Sequence, residues 1–315
     1  MDIKRFAAID IGSNSVRLLI ENVLFTADGP MFKKSALVRV PVRLGATAFT
    51  DKKIPEVTVQ HLEDTMMAFK YLMKANDVVH YRGCATSAMR EASNGPAIVK
   101  RIKEKTGVNI DIITGNSEAN LIFNSQSAML NKISANNIFI DVGGGSTEIT
   151  LFSNGKAIAA KSFPIGTLRD LKKPAKAVKK SAVKKLVVKK DEWKELKDWL
   201  KKNTTKMKGF AMIGSGGNIN RISKLVNLKP GKPMPYDTLE DIVEELKRYS
   251  YDDRMKIFDL NPDRADVIIP AGEIFLTIMK ALNADKIYVP KVGLGDGIVR
   301  EVYKEYLGGK KAKLE

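Results

Sequence analysis

A chain of 315 residues, 44% hydrophobic and 28% charged, has the apolar material for two ordinary globular domains, and no apolar run approaches the ~18 residues that would cross a bilayer. Its one cysteine, Cys84, excludes an internal disulfide framework and a cysteine-rich metal site, and reads as a buried core thiol. The formal net charge of +17 is uneven: residues 172–190 hold nine lysines and no acid, which leaves +8 for the rest and concentrates any attraction for polyanions in one segment.

The opening MDIKRFAAIDIG enters a strand pattern at once, leaves no room for a leader segment, and predicts a cytoplasmic protein. FAAIDI and VRLLIENVLF flank the turn GSNS and predict a β-hairpin, with a third strand at 36–44. Residues 55–75 place Val59, Leu62, Met66, Phe69, Tyr71 and Leu72 at roughly helical spacing. The strand VVHYRGCAT, a helix over 97–106, the strand NIDIIT and a helix over 117–131 capped by Ser117 complete a first half. The pattern then restarts with strand NIFIDV, turn GGGS and strands TEITLF and KAIAAKSF. Beyond the lysine-rich segment, a helix over 191–203 sets Trp193, Leu196, Trp199 and Leu200 on one core-facing side. Strand FAMI leads into GSGGN and a helix; Asp237 with Glu240 reads as a capping box for a helix over 239–249; residues 265–282 read as an apolar helix bent at Pro270. Strand KIYVP and GLGDGIVREVYKEYL follow. Strand-rich openings backed by helices predict an α/β protein of two domains, 1–130 and 131–315, the second with a Lys-rich insertion at 172–190.

DIGSNSVRL, from Asp10, and DVGGGSTEI, from Asp141, align Asp, Gly and the last Ser 131 residues apart in one strand-turn-strand setting, which suggests an internal duplication. Adjacent N–H groups in such turns form a concave nest for phosphate oxygens. The first turn offers Gly12, Ser13, Asn14 and Ser15, and the second Gly143, Gly144, Gly145, Ser146 and Thr147; the hydroxyls of Ser13, Ser15, Ser146 and Thr147 are further donors. Asp10 and Asp141 end their strands at the loop mouths, where a carboxylate either holds Mg²⁺ or caps its own turn. Glu148, just past the second loop, and Glu118, at the start of a helix, are candidate bases for a water attacking phosphorus; Arg17 and Arg90 are candidate cations for the developing charge. Taken alone, Glu118 equally suits a first-turn residue favoured by the helix dipole. His61 and His80 lack metal-ligand spacing and read as structural or surface residues.

ATSAMREASN, ITGNSEANLIF and IDVGGGSTEI, in this order after DIGSNSVRL, resemble the Ppx/GppA family of exopolyphosphatases and guanosine pentaphosphate phosphatases. FPIGTLR, IGSGGN, RADVIIPAGEI and GLGDGIV extend the resemblance over nearly the whole chain outside the lysine-rich stretch. It implies two actin-like (ribonuclease H-like) domains with an interdomain cleft, and Mg²⁺-dependent removal of terminal phosphates by water. By the same resemblance Glu118 and Glu148 are the catalytic acids and Asp141 helps to place Mg²⁺, with Glu148 and Asp10 as further candidate ligands. The two loops, with Arg17, cradle phosphates, and Arg90 clamps the terminal one. The sequence departs from the family pattern at Asn120, where an arginine is usual, at Gly216-Gly217-Asn218 in place of GGT, and at Gly295-Asp296 in place of Arg-Glu. The expected substrates are inorganic polyphosphate or pppGpp, and the expected assembly is a homodimer. No membrane partner is expected, and no specific nucleic acid either, because residues 172–190 hold no aromatic on which bases would stack. An actin-like phosphotransferase that holds ATP with the same loops is the competing reading.

Overall fold

The computed structural model describes residues 3–27, 29–124, 133–169, 190–290 and 293–309, so all of the lysine-rich segment but Lys190 lies outside the described residues. The chain forms two compact units, one of Met1–Ser125 with Gly293–Glu315 and one of Gln126–Val292. This corrects a division at residue 130, because the segment from Gly293 returns to the first unit.

In the first unit, β1 (Ile3–Ile11), β2 (Val16–Thr26), β3 (Gly29–Val40), β4 (Val78–Ala85) and β5 (Ile110–Ile112) form a sheet of order β3-β2-β1-β4-β5. The pairs β1–β2 and β2–β3 are antiparallel, whereas β1, β4 and β5 are parallel. This is the ribonuclease H-like arrangement of actin-like domains. β3 starts well before residue 36; Lys33 and Lys34 break its apolar alternation, as lysines commonly do on an edge strand. One face of the sheet buries Ile9, Ile11, Leu18 and Ile20 against Leu62, Met66, Phe69 and Met73 of the helix Glu56–Ala75. Each such side chain contributes about 2 kcal/mol. Tyr71 and Leu72, expected on that face, are exposed, because the buried stripe continues through Met73 instead. Cys84 is a core thiol, its pKa pushed up to about 12 by burial.

The opposite face is covered by the helix Leu294–Leu307, which buries Ile298, Val299, Val302 and Tyr303 and sets the Tyr303 ring edge-on to Phe6 at 5.8 Å. Arg300 pairs with buried Glu21 at 2.8 Å, and Lys34 with Asp296 at 2.7 Å. Asp296 also accepts from Gly293 N at 2.9 Å, so the departure at Gly295-Asp296 has a docking role. A Cβ on Gly297 would lie 2.1 Å from Leu121 O, so only glycine lets this helix meet the backbone of the helix Gly115–Asn124. The latter helix starts earlier than expected: Thr114 Oγ1 accepts from Ser117 N at 3.2 Å, so Thr114, and not Ser117, is the cap.

The second unit repeats the winding: β6 (Asn136–Val142), β7 (Thr147–Ser153), β8 (Lys156–Phe163) and β9 (Ala211–Ser215) have order β8-β7-β6-β9, with only β6 and β9 parallel. Ile138, Ile140, Ile149 and Leu151 join a core with Ile222, Val243, Phe275 and Ile278 from the helices Gly217–Leu225, Tyr236–Arg248 and Ile268–Leu282. On the helix Lys190–Thr204, Leu196 and Leu200 are buried and Trp193 and Trp199 pack beside them, as their spacing predicts. Two local expectations fail. The helix after Pro235 already starts at Tyr236, so Asp237 sits in its first turn and no capping box forms. Pro270 falls in the first turn of Ile268–Leu282, where a missing N–H costs no helix bond, so it helps to start that helix and does not bend it. Among the described residues, no helix is long and apolar enough to cross a membrane.

Candidate functional site

The first loop is closed by Gly12 N donating to Ser15 O at 3.2 Å. Its carbonyls at Ser13 and Asn14 accept from Gly45 N at 2.8 Å and Arg43 N at 3.0 Å, which ties the loop to the segment after β3. The Ser13 hydroxyl shares a hydrogen bond of 2.9 Å with Ser87, both side chains being buried. The Ser15 hydroxyl is also buried and has no partner among the described residues, an orphan that a phosphate oxygen would satisfy. Arg17 stands directly across from Asp10 in the β1–β2 register, and its Nη1 donates to Asp10 Oδ2 at 3.0 Å. Burial raises the Asp10 pKa, and Arg17 opposes that shift. Asp10 is thus the counter-ion of Arg17. In the same unit, Arg90 Nη1 donates to Ile113 O at 2.7 Å, beside the first turn in which Glu118 lies.

The second loop repeats the closure, with Gly143 N donating to Ser146 O at 2.9 Å. What flanks it differs. Asp141 faces Glu148 across β6–β7, and Glu148 faces Ser162 across β7–β8, so the three side chains form a row on one face of the sheet. Glu148 Oε1 accepts from Ser146 Oγ at 2.5 Å and from Ser162 Oγ at 2.9 Å. Two carboxylates directly opposite one another are destabilising unless a cation lies with them, and hard oxygen donors of this kind suit Mg²⁺. Asp141 and Glu148 thus fit such a metal. Asp141 Oδ1 also lies over Gly216, 3.2 Å from where a Cβ would stand, at the start of the helix Gly217–Leu225.

Every glycine carbonyl of the second loop is tied to the segment after β8. Gly143 O and Gly144 O accept from Thr167 N at 3.1 Å and Leu168 N at 2.7 Å, and Gly145 O accepts from Arg169 Nε at 2.7 Å. Gly166 makes that approach possible, since a Cβ there would fall 2.5 Å from Gly145 C. With the carbonyls held on that side, the loop keeps the N–H groups beyond Gly143 for another ligand. Thr147 departs from expectation, because its wholly buried hydroxyl donates to Ile165 O at 2.7 Å and is withdrawn as a phosphate donor. Sequence reasoning missed Ser162, Gly166 and Arg169 as parts of this site; the glycine of FPIGTLR was the signal for a close backbone approach.

Two domains of one winding, each with an Asp-x-Gly-x-x-Ser turn closing its first hairpin, define an actin-like phosphate-handling protein. The chain belongs to the Ppx/GppA phosphatase family, whose match spans residues 31–305. It is similar to the bifunctional 3-dehydroquinate synthase/phosphatase of Fusobacterium nucleatum, at 29% identity over 90% of this chain and 44% of that protein. It is also similar to exopolyphosphatase 1 of Mycobacterium leprae, at 22% identity over 94% of this chain and 88% of that one. The chain therefore spans less than half the length of the first relative and most of the second. Among solved structures, the Ppx/GppA family member of Aquifex aeolicus superposes with a TM-score of 0.73 at 26% identity, over 96% of this chain and 99% of the other.

Proposed function

We propose that this chain is an exopolyphosphatase that cleaves terminal phosphoanhydride bonds of inorganic polyphosphate by attack of a glutamate-activated water. The observation that carries the reading is the difference at one duplicated position: Arg17 faces Asp10 in the first unit, and Glu148 faces Asp141 in the second. In this reading the first unit binds. The N–H groups of Ser13 to Ser15, the Ser15 hydroxyl and the guanidinium of Arg17 receive phosphate oxygens, and Arg90 clamps the terminal group. The second unit offers the N–H groups of Gly144 to Ser146 and the carboxylates of Asp141 and Glu148. Bound Mg²⁺ would neutralise charge on the phosphate oxygens, with Asp141 and Glu148 as its protein ligands.

Glu118 and Glu148 are the carboxylates available to take the water's proton as its oxygen bonds to phosphorus and the bridging P–O bond breaks. Mutation to glutamine at either position separates their shares. pppGpp is the alternative substrate, because it presents the same terminal phosphoanhydride. A phosphotransferase would instead need an acceptor and would exclude water. Phosphate release is therefore measured with polyphosphates of several lengths, pppGpp and ATP, with and without Mg²⁺ and with no acceptor. Mg²⁺-dependent release from polyphosphate is the expected result; preferential release from pppGpp moves the substrate, and turnover only with ATP and an acceptor overturns hydrolysis.

A further inference from the structure

The row Asp141, Glu148, Ser162 ends on a side chain with no counterpart in the first unit, where Arg39 faces Arg17 at the matching place. Ser162 lies on β8, half-buried, with its hydroxyl 2.9 Å from Glu148 Oε1. Ser146 donates to the same oxygen at 2.5 Å. The two donors come from different places. Ser146 belongs to the phosphate loop, and its hydroxyl is one that an incoming phosphate oxygen competes for; Ser162 belongs to a strand of the sheet. When Ser146 turns to a phosphate, Ser162 still donates to the Glu148 carboxylate and helps to fix it in its plane. A carboxylate that must meet a reacting atom loses rate when its orientation is loosened, even where binding is unaffected.

We propose that Ser162 is a positioning residue that holds Glu148 in its working orientation during turnover. The inference rests on Glu148 acting in the reaction, as set out above. It is tested on the full chain with short-chain polyphosphate and Mg²⁺, comparing Ser162→Ala, Ser162→Thr, Glu148→Gln and the Ser162→Ala/Glu148→Gln double variant. Ser162→Ala lowers kcat about tenfold, the lower end of the effect of removing a supporting hydrogen bond, while KM stays within about twofold. Ser162→Thr, which keeps the hydroxyl on a β-branched residue suited to a strand, restores most of kcat. The double variant falls no further than Glu148→Gln alone, because the serine acts through that carboxylate. Unchanged kcat in Ser162→Ala, failure of Ser162→Thr to rescue it, or a loss that adds to that of Glu148→Gln overturns the proposal. If Glu148→Gln itself turns over normally, the catalytic reading of Glu148 fails and this inference falls with it; that outcome is separable because it appears in the single variant.

Discussion

Both units place an aspartate one residue before the end of their first strand and close the following turn with the same N–H···O bond, Gly12 to Ser15 and Gly143 to Ser146. The rows that cross the two sheets at those aspartates differ in sign. Asp10, Arg17 and Arg39 make the first row net cationic, whereas Asp141, Glu148 and Ser162 make the second net anionic. The hydroxyls follow suit: Ser15 is left without a partner, while its counterpart Ser146 donates to a carboxylate. Under the proposed function, one backbone device thus serves two electrostatic purposes, anion capture in one unit and the support of acidic oxygens in the other.

The comparison breaks first at Glu148. Glu148→Gln lowers kcat by about 10²-fold or more, the loss expected when general-base help is removed, and Glu118→Gln does the same; steady-state phosphate release checks both. The next effect is on stability and belongs to the first unit alone. Arg300→Met leaves Glu21 buried without its cation and costs about 2 kcal/mol, less than a fully buried pair because Arg300 is partly open. The Glu21 pKa is already raised by burial, with Arg300 opposing the shift. A raised carboxylate pKa means stability present at low pH and lost as pH rises through the folded value. Removing Arg300 raises it further, so urea melts show the largest deficit near neutrality and a shrinking one as Glu21 takes up its proton in acid.

Arg17→Gln sharpens the contrast between binding and chemistry. It raises KM about tenfold with kcat largely kept, as loss of a charge-assisted contact predicts. Thermal melts of the same variant, at a pH where Asp10 is ionised, register the loss of its counter-ion. The smallest effect falls on Ser15→Ala, for which KM rises about threefold, the worth of one neutral hydrogen bond, and melting is unchanged because no protein partner is lost.

Much of this asymmetry is legible in the chain before any coordinates. Alternating apolar residues fix both hairpins, and Asp10 and Arg17 sit symmetrically about a four-residue turn, so counting inward from the strands pairs them. Asp141 and Glu148 have the same spacing. Ser162 cannot be reached by counting, because a register shift between Leu151 and Phe152 displaces the β7–β8 pairing by one residue. The glycine of FPIGTLR signals a close approach, but its partner, like the return of Leu294–Leu307 to the first sheet, is set by tertiary contacts that no local pattern encodes. Helix starts at Thr114 and Tyr236 were misread for a simpler reason: a plausible capping residue stood a few positions inside the true start.

The return of the helix Leu294–Leu307 also sets a timetable. On the ribosome, the strands of the first sheet emerge early, but the face bearing Phe6, Ala8 and Leu19 waits for a cover made only after the whole of the second unit. The later-made unit is continuous and can close by itself. In the nascent chain the second unit is therefore complete before the helix Leu294–Leu307 is made, and the first sheet keeps one face uncovered until that helix is translated.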